Sequence, residues 1–270
     1  MTKLLSSKFL IPLVAVICAV LFVLRPGGVD GPTPPPVAQT GKGFNHQPWT
    51  DILAKIRRPD GSVDFDAVRA SQADINKYLG ALRASSPLSA PHRFRERSGR
   101  LAYYLNAYNA TLVNLIAQHC PVTSTSDVYW ADGLFWRVSV LIGEASLTLT
   151  DLETNHIDPL VMADPRVAFA IYRGSVSSPL LQERAFDGAT LDSQLTTIVR
   201  LATKDERFVK LSGKTALLNP IFFWNRLDIG DFQTWLNRYG TEVSSEINFV
   251  QADYDTTVSE WKETCSGYQP

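Results

Sequence analysis

The sequence predicts an α+β domain, with mixed helices around a modest, largely antiparallel sheet and one transmembrane or signal-anchor helix in front. Three observations carry this reading. Helix-like and strand-like segments mix without regular alternation, which argues against a doubly wound sheet. Two alternating stretches each turn about a glycine-containing pair and read as antiparallel hairpins. A run of 16 apolar or small residues, 9–24, follows Lys3 and Lys8.

The bulk numbers set bounds. The 270 residues are 45% hydrophobic and 20% charged, enough for one sizeable core or two small ones. A net charge of −1 with four scattered histidines gives no pull toward nucleic acid. The run 9–24 lies just under the roughly 17–20 residues needed to span a bilayer. No small-x-small cleavage site follows it. Ile17 before Cys18 is unlike the small residue a lipoprotein site needs. The preceding lysines place the N-terminus in the cytoplasm.

Three segments result: a signal anchor (1–24), a Pro/Gly-rich tether (25–43) that cannot bury enough surface to fold, and a single α+β domain (44–270). This predicts a single-pass inner-membrane protein whose domain faces the periplasm or extracytoplasmic side. A cleaved signal peptide gives the same compartment. There Cys120 and Cys265 are either bridged or two separate buried thiols.

The elements follow in order. "PWTDILAKIRR" predicts a helix and "PDGSVDF" a turn into a brief strand. "DFDAVRASQADINKYLGALRAS" returns Val68, Ile75, Leu79 and Leu82 on one helical face. Arg95 to Gln118 reads as a long apolar-rich helix. "FWRVSVLIGEASLTL" and "RFVKLSGKTALLN" are the two hairpins. Thr150 and Glu153 have capping-box spacing and open a helix. "RVAFAIY" reads as a buried strand. "ATLDSQLTTIVRLAT" is a helix with Leu191, Leu195, Ile198 and Ala202 inward. "DFQTWLNRYG" is a helix ending at a glycine, and "INFVQADYD" is a late strand.

Four features could carry chemistry. Asn106 and Asn109 lie three apart inside a buried helix, where unpaired amides would cost about 1–3 kcal/mol each. They either form a structural polar network or line a cleft. Glu153 and His156, at i and i+3, suit a metal or an acid–base pair, or Glu153 simply serves as a cap. "HRFRERSGR" (92–100) holds four arginines and is either a basic patch for phosphate or a polyanion or, the preferred reading, the solvated start of a helix. "RGSVSSPLL" (173–181) places serines after an apolar run, yet lacks Gly-x-Ser-x-Gly, and no base precedes it. No C-x-x-C or histidine spacing points to a metal, and no cofactor is expected.

Six blocks in order, "PDGSVDFDAV", "LAYYLNAYNATLVNLI", "IGEASLTLTDLETNHI", "DPRVAFAIYRGSVSSP", "LLNPIFFWNRLDIGDF" and "INFVQADYD", resemble the family known as domain of unknown function 547, over about residues 48–258. The family's role is unsettled. Its loop block reads His-Phe-Ala-Leu-Asn-Cys-Gly-Ala-x-Ser-Cys-Pro, which invites comparison with cysteine-peptidase-like enzymes. Here Ala168 stands at the histidine, Arg173 at the first cysteine and Ser178 at the second, while Gly174, Ser177 and Pro179 keep the frame.

The resemblance therefore implies a divergent site without its thiolate and imidazole. A serine hydroxyl is a weaker acid than a thiol and depends more on a base. The expected function is a catalytically inactive, membrane-tethered domain that binds an anionic ligand or an envelope protein through Arg173, Asn106, Asn109 and Ser177. The alternative is a hydrolase or acyl transferase using Ser178 with His156 and Glu153.

Overall fold

The computed structural model describes residues 43–119, 122–129, 132–161 and 164–258. The predicted anchor and nearly all of the tether lie outside these residues, as do Cys18, Cys120 and Cys265 and the question of their pairing. Among the described residues no helix is long and apolar enough to cross a membrane.

Helix α1 (Gln47–Ile56) buries Trp49, Ile52, Leu53 and Ile56, the i, i+3, i+4, i+7 pattern of a one-sided helix. The single helix expected next is two, α2 (Phe65–Ala70) and α3 (Gln72–Ala84). The Asp64 carboxylate caps α2 by accepting from the Ala67 N–H. The Ser71 N–H then bonds back to the carbonyls of Ala67 and Val68, closing α2 before α3 begins. This break leaves Val68, Ile75 and Leu82 buried but Leu79 only partly so. The strand expected before them is a single antiparallel bridge, Arg57 to Val63.

Helix α4 (Arg97–Gln118) is the axis of the fold, buried at every residue from Leu101 to Ala117. A helix apolar on all sides needs neighbours on all sides. α2 and α3 pack on it, as do the helical turns after the first hairpin. The arginines at its start tie loops together: Arg93 donates to the Gly43 carbonyl, Arg97 to that of Leu160 and Arg100 to that of Phe94.

Both hairpins form as predicted. β1 (Ser139–Ile142) pairs with β2 (Ala145–Thr148), and β3 (Val209–Ser212) with β4 (Thr215–Leu218), each antiparallel. β5 (Asn248–Gln251) adds to β4 in parallel. The one modest sheet of the prediction is thus two small sheets, β1–β2 and β3–β4–β5. Helices α5 (Leu191–Ala202) and α6 (Phe232–Tyr239) complete the packing, with α6 stopped by Gly240 at φ 96°.

Two local predictions need correction. The capping box is formed by Thr148 and Asp151, whose side chains each reach the other's backbone N–H, and not by Thr150 and Glu153. Glu153 lies instead in a π-helical turn, Leu152–Ile157. Pro159 has no N–H to give the Asn155 carbonyl, so α-type bonding fails there. "RVAFAIY" is a 3₁₀ helix over Pro165–Ala170 rather than a strand. Asp164 caps it by accepting from the Arg166 N–H, and Pro165 supplies a helical φ at the first position. Apolar continuity was compatible with either form.

Entry to the domain carries a pH dependence. The His46 ring lies against Phe44 and Tyr103, with Nδ1 2.7 Å from the Tyr78 hydroxyl. Burial lowers its pKa from 6.5 to about 3. The unfolded chain therefore binds this proton first, and stability present above pH 6.5 drains as the pH falls toward 3. Denaturant unfolding at pH 7 and pH 5 is expected to differ by about 1–2 kcal/mol from this group. His46→Gln should flatten that interval, and an unchanged slope in the variant would refute the assignment.

Candidate functional site

The loop after the 3₁₀ helix is positioned by α4 from below and by the C-terminal segment from above. Asn109, 3% exposed, donates to the Ala170 carbonyl and accepts from the Tyr172 N–H, both at 3.0 Å. Asn106, fully buried, grips Phe186 in the same way, donating to its carbonyl and accepting from its N–H at 2.9 Å. Both amides thus brace backbone that has no ladder partner. They are clamps on the two ends of the strap that holds the loop. Ser177 is a third clamp: its Oγ accepts from the Asp255 N–H, and its carbonyl accepts from the Asn219 amide.

Loop geometry then decides what Ser178 can do. Its side chain is 1% exposed, and its hydroxyl donates to the Pro179 carbonyl at 3.0 Å. A serine nucleophile needs a base in reach and unspent donors for an oxyanion. The Val176 N–H is given to the Thr257 carbonyl, the Ser177 N–H to that of Asp255 and the Ser178 N–H to that of Ser175. All three nearby amides are therefore already engaged.

His156 and Glu153 are likewise engaged elsewhere. The His156 ring stacks on Tyr104 with centroids 5.0 Å apart, and it hydrogen-bonds to no side chain among the described residues. Burial lowers its pKa, with Asp151 opposing, so it is neutral at pH 7. Glu153 accepts from the Arg173 guanidinium at 2.5 Å. The three side chains predicted as a catalytic set are each bound to a different partner.

Arg173 is the centre of a separate polar cluster. Burial works against its charge, but Tyr108 and Glu153 more than offset this and hold the guanidinium cationic. The Tyr108 hydroxyl is buried without a hydrogen-bond partner, and burial raises its pKa. Asp158 is pushed up by burial and by Glu153, with Arg173 opposing. Ser175 Oγ donates to the Tyr254 hydroxyl at 3.1 Å on the same loop. Glu153 pairs with Arg173, so the cation predicted as an anion anchor has a carboxylate partner, as do Arg58 and Arg207 on the open surface.

The open surface lies on the other side of Ser178. A depression of about 310 Å³ is lined by Arg58, Asp60, Ser62, Tyr172, Ser178 and Arg207 among others. Arg58 is paired with Asp64 at 3.2 Å and Arg207 with Asp205 at 2.5 Å, which fixes both forks at the rim. Ser62 holds the Asp60 carboxyl low by side-chain and backbone hydrogen bonds, and Arg207 and Arg58 add to the effect. Sequence reasoning missed these residues because they come from a turn at 58–62 and a segment near 207. The "PDGS" turn was the one visible signal.

Residues 92–200 match the model of a family described as a protein of unknown function, DUF547. No curated protein and no solved structure matches the chain.

Proposed function

We propose that this chain, a DUF547 domain-containing protein, is a membrane-tethered extracytoplasmic domain that binds an anionic ligand or an acidic segment of an envelope protein without turning it over. The binding surface is the depression beside Ser178, with Arg58 and Arg207 as its fixed cations. One observation supports the reading: Ser178 donates to the Pro179 carbonyl, the His156 ring stacks on Tyr104, Glu153 pairs with Arg173, and the N–H groups of Val176, Ser177 and Ser178 are engaged. Guanidinium forks held at the rim by acidic partners are pre-organised, which lowers the ordering cost of binding. The apolar run 9–24 supplies the anchor, and a tether of the composition of 25–43 reaches roughly 60 Å when extended.

The test has two arms. A fluorophosphonate probe is expected to leave both the full-length protein and its Ser178→Ala variant unlabelled. Labelling that disappears in Ser178→Ala would establish the hydrolase instead, with His156 the next residue to replace. In the second arm, a reporter fused after Pro270 should be active only outside the cytoplasm. Activity of a cytoplasm-restricted reporter there would overturn the topology.

A further inference from the structure

A second basin lies away from the loop, between the 3₁₀ helix, α5 and α6. It encloses about 610 Å³ and is lined by Arg166, Arg200, Asp228, Trp235, Arg238 and Tyr239 among others. Its floor is fixed. Arg166 donates to Asp164 at 2.7 and 2.8 Å, to Asp192 at 2.7 Å and to the Thr196 hydroxyl at 2.8 Å. Neither acid is left to neutralise another cation.

Two further arginines face this basin from opposite helices. Arg200 stands in the last turn of α5 and Arg238 in the last turn of α6. Among the described residues neither has a carboxylate within ion-pair distance, and Arg238 lies over the Tyr239 ring at 5.8 Å. Cations in last turns favour the helix dipole. That effect acts on each helix alone and gives no reason for both forks to line one basin. The third donor is the Trp235 indole N–H, buried without a hydrogen-bond partner in a side chain only 7% exposed. Trp235 is held by Tyr239, ring centroids 4.6 Å apart.

Two guanidinium forks therefore line a single basin with the Trp235 ring in its wall and the indole N–H buried behind that wall, and among the described residues none of the three donors has an acceptor. The missing partner is an oxyanion. Charge narrows its type. The Arg166 triad carries one net negative charge, Arg200 and Arg238 two positive charges, and Asp228 one negative charge. The basin is neutral overall, so it does not attract polyanions at long range. A planar carboxylate matches a guanidinium fork in shape and charge.

We propose that this basin binds a small monocarboxylate, held between Arg200 and Arg238, with the Trp235 indole as the neutral donor after a small inward shift of the ring. The site is distinct from the depression beside Ser178 and shares no residue with it.

Acetate is the probe. The full-length chain, labelled with 5-fluorotryptophan, gives a Trp235 resonance identified by its loss in Trp235→Phe. Acetate at constant ionic strength, against chloride, is expected to move that resonance saturably in the millimolar range. Arg200→Ala and Arg238→Ala, both at exposed positions, should each weaken the effect about tenfold. No movement with acetate, or movement undiminished from wild type in both variants, would overturn the proposal. Either result leaves the reading of the Ser178 loop untouched.

Discussion

Asn109→Ala is expected to lower the unfolding free energy by about 3–5 kcal/mol. The substitution leaves the Ala170 carbonyl and the Tyr172 N–H without partners in a place water does not reach, and it opens a void beside α4. Each orphaned group costs about 1–3 kcal/mol, and the void adds to this. For a domain of this size the melting temperature should fall by about 8–15 °C. Asn106→Ala should behave alike, since Phe186 loses both its backbone partners. A loss below about 1 kcal/mol in either variant would show that the amides are not clamps. Denaturant titration and thermal melts read the effect directly.

Gly174→Ala is expected to cost about 2–4 kcal/mol. Gly174 has φ +77°, in the left-handed region where a side chain is strained. An added Cβ would stand 2.3 Å from Ile116 Cδ1 and 3.1 Å from Thr125 Cγ2. Ile116 is fully buried in α4, so it cannot withdraw without disturbing its neighbours. Replacing Ile116 by alanine alongside Gly174→Ala should recover part of the loss, because the steric share is relieved while the φ strain stays. Full additivity of the two costs would remove the contact as the cause.

Much of the element order was legible in the sequence. Helix α4 follows from its length and apolar content, and α5 from Leu191, Leu195 and Ile198 at helical spacing. Both hairpins follow from alternation around a glycine pair. These signals are local, and local periodicity survives in any context where one face is buried. The misreadings share a different cause. "RVAFAIY" is apolar without a period, so its form was decided by Asp164 and Pro165 at its start and by Asn109 at its exit. The box at Thr148 and Asp151 and the one predicted at Thr150 and Glu153 both set a threonine three residues before an acidic residue. The end of β2 chose between them.

The candidate site divides in the same way. The sequence by itself determined that the apolar run directly before the serine loop, with Ala168 and Tyr172, supplies no base, and that Asn106 and Asn109 must find partners inside a buried helix. It also determined the apolar run 9–24 and the Pro/Gly-rich composition of 25–43. Tertiary structure alone decided which partners were found. Glu153 reaches Arg173 across 20 positions, and Asn106 reaches Phe186 across 80. Arg58 and Arg207 line the depression beside Ser178 from widely separated segments, and Arg200 and Arg238 line one basin from two helices. Periodicity reports which face of an element is buried. It carries no information on which buried faces meet, because that follows from packing the whole core at once.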